Sequence, residues 1–111
     1  MIILGIETSC DETAAAVLTN NEKRITILSN VVASSAALQA KYGGVIPEQA
    51  AREQIKSIIP VIDEALSQAF PLNPKPHTLN PPPIDAIAVT HGPGLIGSLL
   101  VGVETAKTLA N

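Results

Sequence analysis

The sequence predicts an α/β domain in which a mixed sheet, an antiparallel three-stranded meander plus one parallel strand, packs against two main helices. Four short apolar runs of strand length lie at residues 2–6, 13–19, 25–32 and 84–90. Between the third and fourth runs, residues 47–68 change to a helical period. A second helix, apolar on most sides, is predicted at residues 95–109.

The first three runs are predicted to form the meander. Residues 2–6 are almost wholly apolar, which is typical of a central strand buried on both faces. Because asparagine tolerates positive φ, we expect a hairpin turn at Asn20 and Asn21. The third run alternates loosely and is rich in β-branched residues, so we expect it to pair antiparallel with the second.

The helix at residues 47–68 is predicted from an apolar stripe. Pro47 suits its first turn, whereas Pro60 should kink it. The stripe consists of Ala51, Ile55, Ile58 or Ile59, Ile62, Leu66 and Ala69. A proline-rich loop at residues 71–83 follows, and we interpret it as a surface loop or stiff spacer. It is too short to indicate a domain boundary, so residues 1–111 are predicted to form one domain.

Composition restricts the class of protein. The formal net charge is −3, which gives no general attraction to nucleic acid, so an RNA substrate would need basic surface from elsewhere. The only cysteine, Cys10, excludes an internal disulfide and suits a reducing compartment. The longest apolar stretch, residues 95–103, is half a membrane span. We therefore expect a soluble cytoplasmic protein that has no membrane association.

The first candidate site is the polar loop after the first strand. Its hydroxyls (Thr8, Ser9) and carboxylates (Asp11, Glu12) are suited to a phosphate and its magnesium ion, with backbone N–H groups binding the phosphate. The alternative is a solvated hairpin tip without a ligand, because polar residues are common in turns.

The second candidate site is the Gly-Pro-Gly turn at residues 92–94, which continues to Gly97 as G-x-G-x-x-G between a predicted strand and a predicted helix. Such a turn can place an anion at the helix N-terminus. Ser98 stands where a Walker A loop needs lysine, and the ribose-binding acid of a dinucleotide site would fall at or past the chain end. The alternative is a tight turn in which Gly97 and Gly102 allow close packing.

Other polar residues carry weaker signals. Cys10, His77 and His91 do not have metal-ligand spacing, so we expect no metal site built from them. Cys10 lacks an identifiable base and is interpreted as an ordinary small residue. The catalytic residues stay unassigned.

Three ordered motifs resemble the tRNA N6-adenosine threonylcarbamoyltransferase family, formerly described as O-sialoglycoprotein endopeptidases. They are Gly5-Ile6-Glu7-Thr8-Ser9-Cys10-Asp11-Glu12-Thr13, Tyr42-Gly43-Gly44-Val45-Ile46-Pro47-Glu48 and Val89-Thr90-His91-Gly92-Pro93-Gly94-Leu95-Ile96-Gly97-Ser98-Leu99-Leu100-Val101-Gly102. The resemblance runs along the whole chain but covers only the amino-terminal part of a typical member. A non-catalytic bacterial paralogue shares the first and third motifs, whereas the segments at residues 10–12 and 42–44 resemble the catalytic member.

The resemblance implies an actin-like ATPase (ribonuclease H-like) fold, of which this chain would be an incomplete amino-terminal lobe. It implies transfer of threonylcarbamoyl from threonylcarbamoyl-adenylate to N6 of adenosine 37 in ANN-decoding tRNA. It also implies an iron or zinc ion whose ligands would lie beyond Asn111. Helices 47–68 and 95–109 would contact a paralogous subunit and an ATPase partner of the modification complex.

The resemblance also assigns site residues. The donor or an ATP-type nucleotide would contact Thr8, Ser9, Asp11, Glu12, Gly92, Pro93 and Gly94. The family commonly has histidine where this chain has Gln39 and Gln54, which puts any proton-transfer or anchoring role there in doubt. The proline-rich loop resembles an insertion.

Three classes of function follow. The chain is a fragment of the transferase, a non-catalytic partner-binding module of the same complex, or a dinucleotide-binding half-domain. Because an incomplete lobe has no closed cleft, we expect the chain to be inactive by itself.

Overall fold

The structure is a computed structural model that describes residues 1–34, 40, 43–44, 47–72 and 82–111. Within these residues the chain forms β1 (Ile2–Glu7), β2 (Glu12–Asn21), β3 (Arg24–Ser34), α1 (Pro47–Ala69), β4 (Ala86–Val89) and α2 (Ile96–Ala110). Each predicted strand and helix is present, with ends that differ by up to two residues. Neither helix is long and apolar enough to cross a membrane.

The four strands form one mixed sheet in the order β3-β2-β1-β4. β1 pairs antiparallel with β2, where Ile2 lies opposite Thr19, and parallel with β4, where Ile3 lies opposite Ala86. The predicted meander with a parallel fourth strand is therefore confirmed. β1 is a central strand, as predicted. Burial on both of its faces was wrong, because both helices cover the same face and the alternate residues Ile3 and Gly5 are only half-buried.

The turn between β2 and β3 lies two residues later than predicted. β2 continues through both asparagines, Asn21 pairs with Arg24, and the turn residues are Glu22 and Lys23. Neither turn residue takes a positive φ. Instead, the Asn21 side chain accepts a hydrogen bond from the Lys23 backbone N–H at 3.3 Å, so asparagine acts here through its side-chain oxygen.

Both helices pack on one face of the sheet. The shared core is aliphatic and is formed by Leu4, Ile6, Ala15, Val17, Ile58, Val61, Ile62, Ala65, Leu66 and Ala106. A buried hydrogen bond also joins α1 to the sheet, since the Ser29 hydroxyl in β3 donates to the backbone oxygen of Ala65 at 2.7 Å. The first two strands alternate inward and outward, so every second residue of β1 faces the helices.

The predicted stripe of α1 is partly wrong. Ile55 and Ile59 are 64% and 52% exposed, whereas Gln54 is only 1% exposed and lies on the buried face between Ala50 and Ile58. The fourfold spacing of residues 50, 54 and 58 keeps them on one helix face, and apolarity alone does not identify that face. The helix begins at Pro47, as predicted, and continues through Pro60, which is exposed.

Several predictions fall outside the described residues. They concern Gln39, Tyr42, His77 and residues 73–81 of the proline-rich loop. Of the Tyr-Gly-Gly motif, the structure describes Gly43 and Gly44, which take φ values of 76° and 148°. Side chains rarely adopt such values, so both positions favour glycine.

Candidate functional site

The two candidate segments meet at one end of the sheet. We call residues 8–12 the acidic loop and residues 92–94 the glycine turn. The backbone N–H of Leu95, just after the glycine turn, donates to the backbone oxygen of Ser9 at 2.8 Å. A Cβ at position 94 would lie 2.5 Å from that same oxygen, so only glycine fits there without a shift of the backbone. The two segments, far apart in sequence, therefore form one surface.

Thr8 joins the acidic loop to α2 from the inside. Its side chain is fully buried, and its hydroxyl donates to the backbone oxygen of Ser98 at 2.7 Å. The same hydroxyl accepts the backbone N–H of Gly102 at 3.1 Å. The structure thus places this predicted ligand-binding side chain in the interior, where it holds the loop in position. A direct contact between Thr8 and a ligand stays a prediction.

Two further buried side chains hold the acidic loop, and the sequence analysis missed both roles. The Ser98 hydroxyl donates to the backbone oxygen of Cys10 at 2.9 Å. The Gln54 side-chain nitrogen lies 2.8 Å from the backbone oxygen of Glu12 and 3.2 Å from those of Thr8 and Cys10. The Gln54 amide therefore anchors the acidic loop in this chain. The available signal was the fourfold spacing of Gln54 from buried apolar positions.

Glu7 stands beside the loop at the end of β1. Its carboxylate accepts hydrogen bonds from the Ser9 backbone N–H and, at 3.1 Å, from the Thr90 hydroxyl. Partial burial raises the pKa of Glu7, but the hydrogen bonds from Ser9 and Thr90 together outweigh it and leave this pKa below its ordinary value of 4.5. The carboxylate is therefore ionised at neutral pH and connects the end of β1 to the residue after β4.

The other predicted site residues are at least partly exposed to solvent, as is Cys10, which lies in the same loop but was not predicted to bind a ligand. Ser9 and Asp11 are half-buried, and Cys10, Glu12, Gly92, Pro93 and Gly94 are exposed. The charged side chains of the acidic loop are carboxylates, so a phosphate needs backbone N–H groups or a bridging cation to bind here. Binding of a nucleotide or donor by these residues stays a prediction.

The ligands of the iron or zinc ion implied by the resemblance are expected beyond Asn111, and this stays a prediction. In the part of the chain that the structure describes, no three His, Cys, Asp or Glu side chains are close enough to hold a metal ion. We therefore derive no chemical step through a metal from this chain.

A solved structure shares this fold. YeaZ from Pseudomonas aeruginosa superimposes with a TM-score of 0.59 at 21% sequence identity, covering 99% of this chain and 40% of that one. At this level of identity the similarity shows the fold alone. It confirms the predicted arrangement of a mixed sheet with two helices.

Comparisons of the sequence give a family model and close relatives that match this chain. The family model of tRNA N6-adenosine threonylcarbamoyltransferase matches residues 26–111. Proteins of that name from Thermomicrobium roseum and Symbiobacterium thermophilum are 56% and 55% identical over 110 and 109 residues, which is 99% and 98% of this chain. The chain spans only 27% and 29% of the length of these two relatives. Because the family model covers well over half of the residues, the chain belongs to the tRNA N6-adenosine threonylcarbamoyltransferase family.

Proposed function

We propose that the protein carrying this chain moves threonylcarbamoyl from threonylcarbamoyl-adenylate to N6 of adenosine 37 in tRNA. The amine nitrogen bonds to the carbamoyl carbon, the bond from that carbon to the phosphate oxygen breaks, AMP leaves, and the nitrogen loses a proton. The observation that carries the proposal is the contact between the acidic loop and the glycine turn, in which Leu95 donates to Ser9. In this proposal it joins the two family motifs into one adenylate-binding surface.

The helix that follows the glycine turn supports binding of the adenylate phosphate. α2 begins at Ile96, and Leu95 at its N-cap makes no side-chain capping hydrogen bond. The first turn of α2 also contains no acidic residue. Backbone N–H groups at such a helix end carry a partial positive charge, which favours an anion. In this proposal a phosphate lies near the helix end, and Asp11 and Glu12 bind a cation that bridges to it.

The remaining components of the reaction lie outside this chain. In this proposal the rest of the protein supplies an iron or zinc ion, the tRNA-binding surface and the second lobe, since the chain spans only 27% of the length of the relative from Thermomicrobium roseum. The chain alone is inactive in this proposal, because the donor must be positioned from both sides of the cleft. A reducing cytoplasmic compartment suits the single cysteine.

The test uses the full-length protein. It is incubated with threonylcarbamoyl-adenylate and an unmodified ANN-decoding tRNA transcript, and the digested nucleosides are analysed by mass spectrometry. Threonylcarbamoyl-adenosine is expected from this transcript and not from a matched transcript carrying guanosine at position 37. Absence of the product, with the partner subunits also supplied, would reject the transferase proposal.

A second candidate function is a non-catalytic module that binds a partner through its helices. The observation that favours it is a groove between α1 and α2 that is lined by the exposed side chains of Ile55 and Leu100. Exposed apolar side chains that cluster mark interaction surfaces. The same assay distinguishes the two functions, since a scaffold forms a stable complex with the paralogous subunit but yields no modified nucleoside.

A further inference from the structure

We propose that Gln54 is a positioning residue that sets the direction of the peptide groups in the acidic loop, and that the loop binds an anion only in this arrangement. The part about anion binding rests on the proposed function. The Gln54 side-chain nitrogen contacts the backbone oxygens of Thr8, Cys10 and Glu12 at 3.2, 3.2 and 2.8 Å. One side chain of α1 therefore holds alternate carbonyl groups of a loop more than forty positions earlier.

The direction of the three carbonyl groups determines where the following N–H groups point. In a trans peptide unit the C=O and the N–H point in opposite directions. Carbonyl groups turned inward toward Gln54 therefore turn the N–H groups of Ser9, Asp11 and Thr13 away from it. The first of these already bonds a carboxylate, since the Ser9 N–H donates to Glu7. The Ser9 N–H therefore meets Glu7 on the side that faces away from Gln54, and the two contacts fix this end of the loop from opposite sides.

The orientation of the Gln54 amide is defined by its surroundings. Turned over, it would place its oxygen against three carbonyl oxygens, so the nitrogen must face the loop. Its oxygen is buried and has no hydrogen-bond partner among the described residues. An unpaired buried acceptor lowers stability. An apolar side chain at position 54 would fill the same space without an unpaired oxygen. We therefore explain Gln54 by the loop geometry that its amide enforces.

A comparison with Ser98 shows which part of the loop depends on Gln54. Ser98 also donates to the backbone oxygen of Cys10, so that carbonyl group keeps a donor if the amide is removed. The carbonyl groups of Thr8 and Glu12 lose the bonds that Gln54 supplies. Rearrangement is therefore expected at the two ends of the acidic loop first.

The experiment compares Gln54→Met, which keeps the length but removes the donor, with Gln54→His, which returns an N–H donor. Gln68→Met is the matched control, because Gln68 lies on the same helix, is exposed and donates only to Glu64 in the described contacts. Hydrogen exchange of peptides covering residues 8–13 and α2 is measured in the full-length protein. The dissociation constant for AMP is measured in parallel by calorimetry.

We expect Gln54→Met to accelerate exchange at residues 8–13 and to raise the dissociation constant for AMP, each by about tenfold or more. Exchange in α2 should change much less than exchange at residues 8–13, because the bonds of Thr8 and Cys10 to Ser98 and Gly102 remain. Gln54→His should restore most of both properties. Unchanged exchange at residues 8–13, or an equal acceleration in every peptide, would overturn the positioning role. If the unaltered protein fails to bind AMP, the proposed function is weakened, while the exchange data still decide whether Gln54 orients the loop.

Discussion

The hydroxyl of Thr8 accepts the backbone N–H of Gly102 in a buried hydrogen bond of 3.1 Å, which joins the end of β1 to the middle of α2. The backbone of Gly102 can lie this close to Thr8 because glycine has no side chain. A Cβ at position 102 would lie 2.6 Å from the Thr8 hydroxyl oxygen. Together with the bond from Thr8 to the Ser98 oxygen, this contact makes the acidic loop and α2 a single structural unit. Changes inside that unit should alter both stability and the site.

Replacing Thr8 by valine should destabilise the full-length protein by about 1–3 kcal/mol, because the shape is kept while the Ser98 oxygen and Gly102 N–H lose a buried partner. Denaturant unfolding followed by circular dichroism measures the change. Thr26→Val in β3 is the control, since Thr26 is exposed, and it should shift stability by less than about 0.5 kcal/mol. Equal effects of the two substitutions would contradict the bonding described for Thr8.

Replacing Gly94 by alanine should push the glycine turn away from the acidic loop, since the new Cβ would lie 2.5 Å from the Ser9 oxygen and 2.8 Å from its Cβ. We expect a loss of about 1–3 kcal/mol in the free energy of unfolding. Gly97→Ala is the control, because its Cβ would meet Ala51 at an ordinary 3.6 Å. Thermal unfolding of both variants tests the difference, and a Gly94→Ala protein as stable as the control would show that the turn adapts freely.

The positions of the strands and the helix starts were predictable because they depend on local signals. The apolar runs, the change of period after residue 47 and the position of Pro47 are each contained in a short segment. The hairpin turn was misplaced by two residues because Asn21 contributes its side-chain oxygen rather than a left-handed backbone. That choice depends on pairing with β3, which a local pattern does not specify.

The contacts that build the site were not predictable in the same way. The fourfold spacing of Gln54 from Ala50 and Ile58 indicates that it lies on the buried face of α1, but it does not indicate which backbone oxygens its side chain contacts. The contact between Gly94 and Ser9 joins positions more than eighty residues apart. Only the tertiary arrangement of β1, β4 and α2 brings them together. The resemblance identified both segments but not the bonds between them.

Acidification should weaken the protein in part through Glu7. Its pKa is lowered in the folded state by the bonds from Ser9 and Thr90, so its contribution to stability is complete above the ordinary value of 4.5 and is lost as the pH falls through the lowered pKa. Glu7→Gln should therefore lower stability at pH 7 and flatten the pH dependence in the acid range. Unfolding midpoints measured from pH 7 to pH 3 test this.

Glu22→Gln, an exposed change in the turn between β2 and β3, controls for the loss of one negative charge in the Glu7 experiment. A Glu7→Gln protein whose acid unfolding curve runs parallel to that of the unaltered protein would exclude the contribution.

The exposed apolar side chains of the helices should affect partner binding rather than folding. Ile55 and Leu100 are 64% and 49% exposed and line the same groove between α1 and α2, so replacing both with serine should cost less than about 1 kcal/mol of stability. Ile58, only 5% exposed, should cost about 2–5 kcal/mol when replaced by alanine. Calorimetric titration with the paralogous subunit should show weaker binding for the double variant. Unchanged affinity, with folding intact, would mean that the partner binds elsewhere.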